Sequence, residues 1–452
     1  MKNEIRNAIF LLGAALFAAH FQGALCAAQQ PAPYRLTLQE AILKALQANL
    51  NVLEARTRVQ EDEGARQRSL SAALLPRVNA EAYANYQNRN LRAFGISVPG
   101  LSLPDVVGPF SNYDFRIYSQ QNVVDLERYR ALKASERSLD AGRMDERDAR
   151  DLIARVIAGL YLNAQSAQAR VEAAQTRVTD SSTLLKLAKD KHDAGTATGV
   201  DVLRAQVQLA NDKQALLEAR NQYQQSLLEL ARNLGMSPGT PLELAEPLQY
   251  RDLAQPQAED LLPAALAVRA DYLSLDRQRQ SLLEQQRANR ARFYPRLSIN
   301  GNIGELGRSI GSSATTGLIQ GQIDFTVFDR DREGEAQQLA SRIQRIEDQI
   351  ADLGRGVEED IREALLNLDS AAEQVSVAAD GRNLAQRELE EAQDRFQAGT
   401  ANNVEVVTAQ DELARAQENY ILAVSGHVDA KYALARALGD TEKNILEFSR
   451  NP

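Results

Sequence analysis

Residues 195–206 read GTATGVDVLRAQ and residues 399–410 read GTANNVEVVTAQ, so the chain states one motif twice at an offset of 204 (399 − 195). The same offset carries Asp125 onto Asp329 and Leu234-Gly235 onto Leu438-Gly439. A register held without a gap from Asp125 to Gly235 marks each half as one architectural unit of fixed length, the signature of a duplicated fold. A second landmark lies upstream in each half: LPRVNAEAY at 75–83 matches YPRLSINGN at 294–302, at an offset of 219 (295 − 76). The first copy is therefore longer between the landmarks, and the extra length falls in RNLRAFGISVPGLSLPDVVGPF, 89–110, which reads as loop.

The residues flanking the motif are helix formers. From about Leu126 to His192 there is no proline, glycine is limited to Gly142 and Gly159, and Ala, Leu, Arg, Glu and Gln dominate. A helix of that length spans roughly 100 Å at 1.5 Å per residue. After the turn, Val202, Leu209, Leu216, Tyr223 and Leu230 recur every seven residues; Val406, Leu413, Tyr420, His427 and Leu434 repeat the pattern. A seven-residue apolar seam keeps facing a partner only if helices supercoil left-handedly. Each half is thus expected to hold a long antiparallel helical hairpin, 126–235 and 330–439. Alanine beside the seam at Ala205, Ala210, Ala215 and Ala219 allows close approach on more than one side.

Between the helices the period changes from seven to two. Val78, Ala80, Ala82, Ala84 and Tyr86 alternate with polar neighbours, as do Tyr113, Phe115 and Ile117, then Leu297, Ile299 and Ile303, then Ile319, Ile323, Phe325 and Val327. This is the pattern of half-buried strands, expected at about 77–91, 112–125, 294–306 and 318–328. It also fits transmembrane strands with one face on water. A four-stranded sheet cannot close on itself, and an open edge in hydrocarbon costs several kcal/mol for each unpaired backbone group. Strands that span a membrane here would need several subunits to share one barrel.

Composition restricts the chemistry. One cysteine, no tryptophan and three histidines leave little for redox, metal or nucleophilic work. The net charge of −9 argues against nucleic acid as partner. The mean hydropathy of −0.39 does not exclude a barrel, whose strands hardly move that average. Lys2 and Arg6 precede the apolar run AIFLLGAALFAAHF and the small residues of ALCAAQQ, so 1–28 reads as an export signal cleaved near Ala27 or Ala28. Cys26 follows Leu25, which is bulky where lipoprotein processing wants a small residue, so simple removal is expected over lipidation. His192 and His427 fall opposite Phe396 and Tyr223 of the other copy, which favours packing over metal binding. No cofactor or catalytic group is expected.

In order, spacing and duplication together, two copies of strand hairpin plus helical hairpin with the PR and GT motifs resemble the TolC family of outer-membrane efflux proteins. The resemblance runs from LTLQEAILKALQ at Leu36 to Gly439. It implies a homotrimer with a twelve-stranded outer-membrane β-barrel and a periplasmic α-helical barrel, set in outer-membrane lipid. It further implies docking to a periplasmic adaptor (membrane fusion) protein, and through it to an inner-membrane transporter of the RND or ABC type. An equatorial region would come from the N-terminal segment, the linker 236–258 and the tail 440–452. The turns at Gly195, Thr196, Gly399 and Thr400 correspond to the adaptor-docking tip. Locally, each Gly would cap a helix in the left-handed conformation and each Thr would cap the helix that follows. Asp201 and Glu405 match acids that narrow the closed tip; read locally, each is a first-turn acid favoured by the helix dipole. The chain departs from the family pattern at Arg204, Thr408 and Ala401, so Arg204 is expected to pair with a neighbouring carboxylate, in a tip held by a different or looser set of bonds. The rival reading is a secreted periplasmic coiled-coil scaffold whose strands form a soluble sheet.

Overall fold

The computed structural model describes residues 33–91, 93, 95, 104–253 and 258–450. The export signal and Cys26 lie outside them. A short strand β1 (Tyr34–Leu36) leads into helices α1 (Leu38–Ala48) and α2 (Leu50–Leu74). The start of α1 is set by a capping box, in which Thr37 and Glu40 satisfy each other's backbone N–H groups. Strands β2 (Arg77–Asn90) and β3 (Val106–Val124) follow, then α3 (Leu126–Asp193) and α4 (Gly199–Asn233). Strand β4 (Leu242–Leu244) and helices α5 (Ala258–Val268) and α6 (Ala270–Ala291) lead to β5 (Arg296–Gly307) and β6 (Ser313–Asp324). The second pair of long helices, α7 (Asp331–Ala398) and α8 (Asn403–Leu438), precedes α9 (Thr441–Arg450). The duplication is exact in one respect: α3 and α7 are both 68 residues long.

Strands β2, β3, β5 and β6 form one antiparallel sheet in that order, so the sheet is sewn between the repeats by the β3–β5 pairing. Its rows keep apolar residues together, as in Ala80, Ile117, Ile303 and Gly317, while the next row holds Asn79, Tyr118, Asn302 and Leu318. Ile303 and Ile319 are 61% and 86% exposed, which leaves an apolar face bare in the single chain. The outer edges of β2 and β6 are unpaired.

Two strand boundaries differ from the sequence expectation. Strand β3 begins at Val106 because Val106 and Val107 pair with Asn90 and Arg89, past a register shift between Gln87 and Arg89. Gly108 sits opposite that bulge at φ +122°, where a Cβ would fall 2.9 Å from the Gln87 carbonyl oxygen; the Gly-Pro pair that reads as a loop instead accommodates the bulge. Strand β6 covers Ser313–Asp324 in place of 318–328. Its partner gives out: Arg296 pairs with Asp324, and Pro295 before it has no N–H to extend the ladder. The alternation at Phe325 and Val327 therefore continues off the sheet, with both side chains largely exposed.

The helical hairpins pack through the heptad seam, where Leu216, Leu230, Val406, Leu413 and Leu434 are buried. α3 packs along α4 and also along α8, which in turn packs along α7, so among these four helices α4 and α7 lie outermost, while α3 and α7 pack on α6 as well. The parallel pair β1–β4 joins the N-terminal segment to the linker between the repeats. Leu36, Ile42, Ile157, Tyr161, Leu230 and Ile445 fill a core there that ties both halves to α9.

Candidate functional site: the paired helical turns

The two GT turns share one geometry. Gly195 and Gly399 take φ +74° and +76°, a left-handed conformation that costs glycine nothing and other residues about 1 kcal/mol or more. The backbone N–H and the hydroxyl of Thr196 both donate to the Lys191 carbonyl, at 2.8 and 3.0 Å. Thr400 does the same to the Arg395 carbonyl, at 3.0 and 3.1 Å. Each threonine thus closes the helix behind it, where the sequence reading had it opening the helix ahead. The caps of the following helices are Thr198 and Asn402.

Asp201 completes a capping box. Its carboxylate accepts the Thr198 N–H at 3.0 Å and the Thr198 hydroxyl at 2.7 Å, and these bonds hold its pKa below the usual aspartate value. Its side chain is only 14% exposed. Arg204 stands 3.9 Å from Asp201 on the same helix, so its expected pairing exists as a long contact inside α4. Glu405 meets Arg395, 3.2 Å away across the turn of its own hairpin. Thr408 is exposed. The two acids are thus partly compensated: one is occupied by a cap, the other by an arginine.

What joins one turn to the other lies in residues the sequence did not single out. Asn403, fully buried, donates from Nδ2 to the Asp201 carbonyl at 2.8 Å. Lys191 donates from Nζ to the Gln397 carbonyl at 3.1 Å, with its ammonium 5.3 Å from the centre of the Phe396 ring. Ala188, Ala205, Leu389, Phe396 and Val406 form the apolar plug behind these bonds. Further bridges continue along the hairpins: Gln208 to Asp411 at 3.3 Å, Arg170 to Glu418 at 2.8 Å, the hydroxyls of Ser166 and Ser425 at 3.0 Å, and Arg155 to Asp429 at 2.8 Å. Asp212, buried beside Gln208, is held by Arg177 at 2.7 Å and by Ser181. The offset of 204 carries Lys191 onto Arg395, so a basic residue before each turn was a legible signal. Asn403 falls opposite Gly199 and had none.

His192 lies 3.6 Å from Asp193 at the end of α3. His427 is buried, its ring 4.8 Å from that of Tyr250, and burial together with nearby Lys431 pushes its pKa down. Among the described residues no cluster of three or more His, Cys, Asp or Glu has the arrangement of a metal site. No helix among them is long and apolar enough to cross a membrane.

The model of the outer membrane efflux protein family matches residues 41–236 and 261–440, both repeats with both turns. The chain belongs to the outer membrane efflux protein family. This places the efflux protein in the outer membrane, with its helices in the periplasm, and the scaffold reading gives way. The pyoverdine export outer membrane protein OpmQ of Pseudomonas putida is 23% identical over 318 residues, 67% of this chain; the match spans 65% of OpmQ, just under two thirds of its length. The toluene efflux pump outer membrane protein TtgF, also of Pseudomonas putida, is 24% identical over 427 residues, covering 90% of this chain and 84% of TtgF. The crystal structure of VceC from Vibrio cholerae aligns with TM-score 0.73 at 20% identity, over 89% of this chain and 96% of VceC. The CmeC outer membrane channel of Campylobacter jejuni aligns with TM-score 0.71 at 18% identity, over 91% and 89%. These likenesses establish the fold of outer-membrane efflux channels for this efflux protein.

Proposed function

We propose that three copies of this chain form one duct, the outer-membrane component of a tripartite efflux or secretion assembly. Twelve strands would close a barrel in the outer membrane and twelve long helices a tunnel through the periplasm. The observation that carries the reading is the four-stranded sheet with an apolar face and two unpaired edges, continuous with four long helices. In hydrocarbon those edges need partners, and the edge of β2 in one copy against β6 of the next supplies them. The helical layer has matching edges. α7 exposes Leu366, Val377 and Leu384, each at least 60% bare, and α4 exposes Leu203, Val207 and Leu217 likewise. Burying such side chains between copies is worth roughly 1.5–3 kcal/mol each.

In this duct the turns at Gly195, Thr196, Gly399 and Thr400 form the periplasmic tip, the docking surface for a periplasmic adaptor that links to an inner-membrane transporter of the RND or ABC type. Asp201, Arg204, Glu405 and Thr408 line the closed mouth, where Glu405 is the acid free to exchange Arg395 for a cation passing through. Focused negative potential in a narrow mouth attracts cations and repels anions. Opening separates the hairpins at Asn403–Asp201 and Lys191–Gln397. The chain transports and performs no chemistry; selection of cargo falls to the inner-membrane transporter. Ion selectivity of a Glu405→Ala, Asp201→Ala double variant in planar bilayers tests the mouth. Loss of cation preference is expected, and unchanged selectivity removes the acids from the gate.

A further inference from the structure

Far from the tip, a cavity of about 380 Å³ opens where the linker between the repeats crosses the helices. Its walls come from the first turn of α1, from Ala245–Gln249 and Arg251 of the linker, from α3, from α8, and from the end of α9. Its lining includes the apolar Leu38, Leu248, Val428, Leu446 and Phe448 together with the cations Lys431 and Arg251. The Gln165 amide, also on the wall, donates to the Glu246 carbonyl at 2.9 Å. Lys431 is the unusual member. It is 4% exposed, and among the described residues its Nζ has one hydrogen-bond partner, the Arg251 carbonyl at 3.0 Å. Among the described residues neither Lys431 nor Arg251 has a carboxylate within 4.0 Å, although most of the chain's other ion pairs bring a base that close to an acid. The guanidinium of Arg251 instead donates to the Ser449 carbonyl at 2.7 Å and to Gln249 at 3.4 Å. The one acid on the wall, Glu246, is exposed.

A buried ammonium with a single protein acceptor is costly unless a further acceptor reaches it. Burial, and Arg251 next, hold the Lys431 pKa below the usual lysine value against an opposing pull from nearby Asp252. A cavity of this volume lies in the range of small-molecule sites, which are mostly apolar with a few convergent polar groups. A cavity lined by apolar side chains and two cations selects for a molecule with one anionic end and one apolar end.

We propose that this equatorial cavity binds a small organic carboxylate, with the carboxylate between Lys431 Nζ and the Arg251 guanidinium and the apolar body against Leu248, Val428 and Phe448. The ligand would bridge the linker to α8 and α9 and so brace the junction of the two repeats. The site is independent of the reading of the tip.

The test is calorimetric titration of the full-length, detergent-solubilised protein with sodium benzoate, and separately with benzyl alcohol and with inorganic phosphate. Saturable benzoate binding at one per chain is expected, at least tenfold tighter than benzyl alcohol or phosphate. Lys431→Met keeps the volume and removes the charge; it should weaken benzoate at least tenfold and leave benzyl alcohol unchanged. Should the buried substitution impair folding, Arg251→Met at an exposed position provides the second variant, expected to weaken benzoate at least threefold. Absence of benzoate binding to the unaltered protein, phosphate bound as tightly as benzoate, or benzoate affinity unchanged in the variants would each overturn the proposal.

Discussion

Replacing Asn403 by alanine should open the tip. The side chain is fully buried, its Nδ2 makes the 2.8 Å bond to the Asp201 carbonyl, and its Oδ1 has no partner among the described residues. Truncation removes one buried interhelical hydrogen bond, worth about 1 kcal/mol net, and no second bond is lost with it. If the three tips of the proposed trimer part together, about 3 kcal/mol is withdrawn from the closed state. At 1.4 kcal/mol per tenfold, the open population should rise about a hundredfold. Arg395→Ala is the control. Its pair with Glu405 is shorter than many but lies within one hairpin, with side chains 52% and 42% exposed, so it is worth about 0.2–1 kcal/mol and does not hold the hairpins together. The assay is single-channel open probability in planar bilayers. Greater opening by Arg395→Ala than by Asn403→Ala, or an Asn403→Ala channel as closed as the unaltered one, would refute the assignment of the latch to the bonds between hairpins.

Other outcomes follow from the same geometry. His427 is held neutral by burial, with its pKa lowered from 6.5, so the stability it contributes is complete above that value and declines as pH falls from 6.5 toward the lowered value. His427→Phe should flatten that part of the thermal-stability profile, and an unaltered slope would point to another group. Asp201 is also lowered, from 3.8, so its capping box is complete above that pH and is lost only as pH falls through the lowered value. Amide-exchange protection at the start of α4 should therefore be flat from neutrality to about pH 5, a range lying wholly above the unfolded aspartate value, and should lose its acid step in Asp201→Asn. Leu366→Glu with Val377→Glu, both on the bare face of α7, should leave helical content intact while dissociating the oligomer in native mass measurements; trimers that persist would move the interface elsewhere.

Much of this was legible in the chain. The duplication gave the two hairpins, because a constant offset survives where local patterns blur, and Gly195 and Gly399 marked their turns, because a left-handed residue leaves a compositional trace. The heptads located the buried seam at Leu216, Val406 and Leu413. The misreadings have physical causes. Phe325 and Val327 alternate like strand residues, but a strand exists only while its partner pairs, and Pro295 ends the partner. Gly108 and Pro109 look like loop because breakers usually are, yet here they serve a bulge. Thr196 and Thr400 could cap in either direction, and only the three-dimensional turn decides. The bonds between hairpins were invisible, since Asn403 and Asp201 are brought together by packing across 202 residues of chain. The burial of Lys431 was equally hidden: a lysine at a seam-adjacent position looks solvated until the linker is folded over it.

On the proposed reading this chain closes a transmembrane duct only as a shared assembly. That reading is tested most directly by recording planar-bilayer current from detergent-extracted Asn403→Ala protein while native mass is measured on the same preparation, the substitution ensuring that a shut tip does not mask a pore. Trimers with discrete, cation-favouring current steps are expected. Monomers, or trimers that pass no current with the latch removed, would contradict it.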